Sequence, residues 1–271
     1  MVAILKKLFK EKGITGIDVV FTPPPCGEVR MRETYYGGSY WAGRKDSAEA
    51  CARRAEVFFH LLSRCDPIYT RWFEQADSRK KALQLQFEPT CETFTRFFKK
   101  RAYQEGRDGF MLGVWTGHEQ GHGGLVTLRC GSAAEFMPNN CFLYLPKEEP
   151  EKERVLEVDV LAEVLRAMVF AWEPDWGVIT SGDFRDTLSQ QGTVGTFMGW
   201  LTYLSRGRGE VPPLPEPVRV EPVEDKGTLV FLTPERLTAS NPEHVALGRR
   251  VQDVLHAKGL LEPVVSRRPA T

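Results

Sequence analysis

Residues 117 to 124, Gly-His-Glu-Gln-Gly-His-Gly-Gly, contain the spacing His-Glu-x-x-His. On a helix, a four-residue offset puts two imidazoles on one face for a divalent metal, and the glutamate beside them acts as general base. His118, Glu119 and His122 would then serve a zinc-dependent hydrolase. That chemistry depends on the helix, and Gly113, Gly117, Gly121, Gly123 and Gly124 oppose it, at about 1 kcal/mol each relative to alanine in a helix interior. The extended form of the motif also lacks its third ligand, with Leu125 at the glycine position and Leu128 at the final histidine position. The stretch therefore reads as a hairpin loop. No metal and no cofactor are expected, and a zinc hydrolase stands as the alternative function.

Other constellations are weaker still. AWEPDWG (171–177) sets Glu173 and Asp175 between Trp172 and Trp176, an acid and a base beside an aromatic platform, as in sugar-cleaving sites. The competing structural reading is preferred: Pro174 ends a helix, both tryptophans pack inward, and the acids cap or face water. GGSYW has Trp41 where a nucleophile elbow needs its second glycine. GTVGTFMG lacks the lysine and the following helix of a phosphate loop. Arg96, Lys99, Lys100, Arg101 and Arg107 interleave with aromatics as in a single-strand nucleic-acid binder. They read better as the solvated side of a helix whose Phe94, Phe97 and Phe98 pack inward. Acidic runs supply Glu148, Glu149, Glu151 and Glu153, then Glu221, Glu224 and Asp225. Such runs are usually solvent-facing charge, and they are where a basic partner would be met.

The elements that must hold these residues follow from periodicity. ETYYGGSYW (33–41) is aromatic-rich and reads as a strand. Asp46 precedes a strong helix, with Glu49 able to complete a capping box and Ala48, Cys51, Ala52, Ala55, Phe58, Phe59 and Leu62 on one stripe. Pro67 ends it, and shorter helical pieces are predicted in IYTRWFEQ, SRKKALQLQF and CETFTRFFKKRAY. The period then becomes two: GFMLGVWT, LVTLRCG and CFLYLP read as successive antiparallel strands. A second strong helix is predicted over 156–172, followed by strand-like WGVITS, GTFMGWLTYLS, PVRVEPV and GTLVFLT. The prolines of PVRVEPV favour an edge or connector. Asn241 as cap, Pro242 at the first helical position and Glu243 in the first turn open a last helix ending near Gly259. The sum is an α+β protein with antiparallel sheet, and two strand blocks each joined to a long helix leave open a pair of similar lobes.

With 271 residues, 42% of them hydrophobic, the chain has ample material for a core. Thirty-six basic and 36 acidic residues balance, so no bulk field recruits nucleic acid or an anionic membrane, and none makes the molecule a polyanionic decoy. No segment approaches the roughly 20 apolar residues of a membrane span. Cys26, Cys51, Cys65, Cys91, Cys130 and Cys141 contain no Cys-x-x-Cys pair, and a reduced cytoplasmic setting is expected. Charges at 6, 7 and 10 to 12 split the leading apolar stretches, so 1–30 reads as an arm or a mis-assigned start, 31–261 as one domain and 262–271 as a flexible tail.

Four segments carry a family likeness: MRETYYGGSYWAGRKDSAEACARRAEVFF, RAMVFAWEPDWGV, GTFMGWLTYLSR and PVEDKGTLVFLTPERLTASNPEHV. In this order they resemble the immunity protein 52 family of bacterial polymorphic toxin systems, over about residues 31 to 261. The resemblance implies a small cytoplasmic α+β protein encoded beside a toxin, commonly one with a restriction-endonuclease-like domain delivered by type VI or related secretion. It implies neutralisation by binding, not catalysis, with the toxin as partner and no direct contact with nucleic acid or membrane. The nominated toxin-binding residues are Glu221, Glu224 and Asp225, with Glu173 and Asp175 if exposed.

Overall fold

The computed structural model describes residues 33–106, 109–189 and 191–265. The expected arm at 1–30 and residues 266–271 of the expected tail lie outside them. In chain order the strands are β1 (Tyr35–Trp41), β2 (Trp72–Glu74), β3 (Gln86–Phe87), β4 (Gln104–Glu105), β5 (Gly109–Trp115), β6 (Leu125–Cys130), β7 (Asn139–Tyr144), β8 (Trp176–Ser181), β9 (Leu201–Ser205), β10 (Arg219–Val223) and β11 (Gly227–Phe231). The helices are α1 (Ala48–Cys65), α2 (Arg79–Ala82), α3 (Cys91–Lys99), α4 (Glu151–Val155), α5 (Val158–Trp172), α6 (Gly182–Leu188) and α7 (Pro242–Ala257). Among the described residues this is an α+β protein of seven helices and one 11-stranded antiparallel sheet, ordered β10-β11-β9-β8-β1-β7-β6-β5-β2-β3, with β4 on β5.

β1 is the keystone because it pairs with β7 on one side and β8 on the other. All seven of its residues are buried, as a strand covered on both faces must be. Alternation sends odd residues to one face and even residues to the other. On the odd face Gly37 has no Cβ, and one would lie 2.8 Å from Ile179 Cδ1 and 3.3 Å from Met168 Cε, so the glycine is what lets α5 settle on the sheet. On that face Trp41 also stacks on Trp172 of α5. On the even face Tyr36 stacks on Phe142, and Tyr40 packs against Trp176. The two strand blocks that left open a pair of lobes are thus fused through β1 into a single sheet.

α1 buries the predicted stripe of Cys51, Ala52, Ala55, Phe58, Phe59 and Leu62, against α3 and α5. Its cap differs from expectation. Ser47, not Asp46, accepts the Ala50 amide, while Asp46 pairs with Arg44 at 2.9 Å. Glu49 therefore sits one position too early to close a capping box. The helical pieces predicted for 68–87 are also corrected. Trp72–Glu74 is a strand pairing with β3 and β5, and α2 lasts four residues before the chain returns as β3. A three-residue segment has no period of its own, and Trp72 goes where its ring can pack edge-on to Phe59. Within GTFMGWLTYLS the strand starts only at Leu201. Before it the Gly199 amide turns to the Thr202 hydroxyl at 3.0 Å, at a point so close to β8 that a Cβ would overlap Val178. The other expectations hold: β5, β6 and β7 form an antiparallel meander, Pro222 sits on the edge strand β10, and Asn241 caps α7 with Pro242 at its start.

Candidate functional site

The connection between β5 and β6 carries His118, Glu119 and His122, and it is a glycine turn. Thr116 closes it twice, donating its amide to the Gly124 carbonyl at 3.0 Å and accepting the Gly124 amide at its hydroxyl at 3.0 Å. Gly117 and Gly121 take φ of 78° and 88°, values that favour glycine and that no helix uses. The imidazoles point to different partners: His118 Nδ1 lies 3.0 Å from Thr116 Oγ1, and His122 Nδ1 lies 2.9 Å from Glu151 Oε2. Partial burial and the nearby Arg71 hold His118 below the usual imidazole value, whereas the hydrogen bond to Glu151 raises His122. Among the described residues, no group of three or more histidines, cysteines and acids is placed to hold a metal. What the loop does is structural: the Gly121 carbonyl accepts the amides of Lys147 and Glu148, clipping this hairpin to the segment that opens α4.

The Trp172–Trp176 segment is a helix stop. Trp172 and Trp176 are fully buried and offer no platform to a ligand. Glu173 ends α5 in the left-handed conformation (φ 48°). Its carboxylate receives Lys226 Nζ at 3.1 Å and Arg54 Nη1 at 3.0 Å, cations that hold it below the ordinary carboxylate range, so it is no proton donor near neutrality. Asp175 Oδ2 accepts the Ala42 amide at 2.8 Å and fixes the turn after β1.

Of the second acidic group, Glu221 is neutralised. Its carboxylate is gripped by Arg166 of α5 and by Arg219, both at 2.6 Å. Glu224 and Asp225 differ, being exposed on the turn joining β10 to β11, with Glu224 at φ 45°. The turn folds back toward Glu173, because Lys226 bridges to it. The Tyr203 hydroxyl donates to the Lys226 carbonyl at 2.9 Å, and its ionisation is raised by burial and then by Asp175, Glu173 and Asp225 together. Four of the five nominated acids therefore meet at one end of the sheet, and Glu221 is engaged apart from them.

Two residues that sequence reading passed over organise this end. Lys226 joins the turn to α5, and Arg208 donates Nε to the Asp175 carbonyl and Nη1 to the carbonyls of Leu260 and Glu262, each at 2.9 Å. Neither carries a local motif. Parts of the other charged stretches are engaged internally. Phe94, Phe97 and Phe98 are buried, Lys99 pairs with Glu49, and Lys100 pairs with Glu74; Arg107 lies outside the described residues. In the run 148–153, Glu151 holds His122, and Glu149 accepts the Glu153 amide.

No helix among the described residues is long and apolar enough to cross a membrane. No curated protein matches the chain. Among solved structures it is similar to the Pseudomonas aeruginosa T6SS protein PA0821, with a TM-score of 0.54 and 10% sequence identity, over 88% of this chain and 76% of that one. At so low an identity the likeness is one of fold. The family model for immunity protein 52 matches residues 33–264, which takes in β1, the whole sheet and all seven helices described above. The chain belongs to the immunity protein 52 family, the non-enzymatic immunity proteins of polymorphic toxin systems, and so has a cognate toxin as its partner.

Proposed function

We propose that this protein neutralises a nuclease toxin, one with a restriction-endonuclease-like domain delivered by type VI secretion, and does so in the cytoplasm by direct contact through the Glu224–Asp225 turn. The observation that carries the reading is the contrast among the acids. Glu221 and Glu173 are each matched by two cations, Glu173 although it is exposed and Asp175 half-buried beside it, whereas Glu224 and Asp225 stand exposed on a strand turn. A nuclease binds a polyanion and so presents a basic face; local acids opposite that face speed encounter and select the partner. Since 36 basic and 36 acidic residues cancel, only such a local patch can do this. The likeness to a T6SS protein supports the delivery route.

The test is to express the protein encoded in the neighbouring reading frame with and without this chain. Toxicity with chromosome degradation, relieved by co-expression, is the expected result; toxicity with intact DNA would remove the nuclease assignment. In binding kinetics at low salt, Glu224→Lys with Asp225→Lys should slow association about 10-fold with little change in dissociation. Unchanged association would discard this turn as the contact.

A further inference from the structure

We propose that the cognate toxin docks across the sheet end that carries Phe136 and Met137, placing an apolar side chain in the groove beside them. The inference rests on the reading that the chain acts by binding its toxin, and it names where the binding energy resides. Phe136 and Met137 are 40% and 52% exposed. The other exposed large hydrophobic residues among those described, Val57, Leu85 and Val220, stand singly, which is ordinary for a protein surface. An adjacent Phe-Met pair is not, because aromatics and methionine are the side chains that protein interfaces enrich.

The pair sits on the β6–β7 connection, and that loop is held from beneath. The buried Asn139 side chain accepts the Ser132 amide at 3.1 Å and donates to the Ser132 carbonyl at 2.9 Å and the Ala42 carbonyl at 3.1 Å. The Arg44 amide adds a bond to the Ser132 carbonyl at 3.0 Å. A loop fixed in this way presents its side chains without a large ordering cost on binding. Beside it runs a groove of about 320 Å³ lined by Phe136, Pro138, Thr193, Val194 and Val265, large enough for one side chain of a partner.

A chain of hydrogen bonds links the groove to the acidic turn. Val264 donates its amide to the Val194 carbonyl, Arg208 ties Glu262 to Asp175, and Lys226 ties Glu173 to the β10–β11 turn. From β7 to β11 the path crosses β1, β8 and β9, four steps of about 4.8 Å. That distance falls within one standard patch of about 800 Å² per partner. Glu135, Glu262, Glu224 and Asp225 are exposed along the way. The surface thus has an apolar anchor with acids around it, and it fits a toxin face bearing a protruding apolar side chain ringed by lysines and arginines.

Binding of the neighbouring-frame toxin to Phe136→Asp with Met137→Asp, and to the milder Phe136→Ala, tests the proposal, with thermal melts confirming that each variant is folded. The double variant should weaken binding about 30-fold or more, chiefly through faster dissociation, and should lose protection in cells. Affinity within about 3-fold of wild type would overturn the docking site while leaving neutralisation by contact intact. Failure of the wild-type chain to bind the toxin would instead sink the functional reading itself. If sedimentation shows the free chain to be a dimer that the double variant converts to monomer, the patch joins two copies of this chain and the proposal is overturned.

Discussion

His118 and His122 are four residues apart yet answer to different neighbours, and their titrations move in opposite directions. His122, raised by Glu151, stabilises the fold at pH below its ordinary value of 6.5 and loses that contribution as pH rises through its folded value. Glu151, lowered by the same contact, contributes above its ordinary 4.5 and loses the contribution as pH falls through its folded value. The pair therefore clips the hairpin to α4 most firmly between 4.5 and 6.5. An NMR titration of His122 should give a midpoint above 6.5 that returns toward 6.5 in Glu151→Gln; a midpoint unmoved by that change would refute the clip. In the same loop, Gly117→Ala forces a side chain into φ 78° with its Cβ 2.4 Å from Phe73 Cε2. It should cost about 1–3 kcal/mol in urea denaturation and, with the toxin meeting the Glu224–Asp225 turn as proposed, leave toxin association unchanged.

Among elements, legibility followed length. α1, α5 and α7 run 15 to 18 residues, enough turns for the apolar stripe to declare itself. β5, β6 and β7 alternate over six or seven residues. β2, β3 and α2 span two to four residues and take their state from what they pack against. Their anchor is the aromatic cluster under α1, where Phe59 meets Trp72 at 4.7 Å and Phe94 at 5.1 Å between ring centroids. Phe59→Ala should destabilise the protein by about 3–5 kcal/mol, read as a lower denaturation midpoint. A loss under about 1 kcal/mol would mean that the cluster collapses around the gap.

For the whole molecule, the decisive element is β1, which arrives first among the described strands yet lies in the middle of the sheet. Its pairing to β7 and β8 makes each strand block depend on the other. Thermal or urea unfolding should therefore follow one transition, with far-UV circular dichroism and tryptophan fluorescence coinciding. Trp72 in the first block and Trp172, Trp176 and Trp200 in the second are buried and report on each. Two separated transitions would mean that the blocks unfold as independent lobes.

The sequence by itself determined the α+β class, the strand and helix periods, the family and the nature of the 117–124 turn. Each of these is written in contiguous residues, through glycine backbone freedom, apolar spacing or segments kept in order. Only the tertiary structure decided which acids remain available to a partner. Glu221 finds Arg166 across 55 residues and Glu173 finds Lys226 across 53, while Glu224 and Asp225 stay exposed between them. Charge pairing at such separations depends on which strands become neighbours in the sheet, and no local pattern records that order.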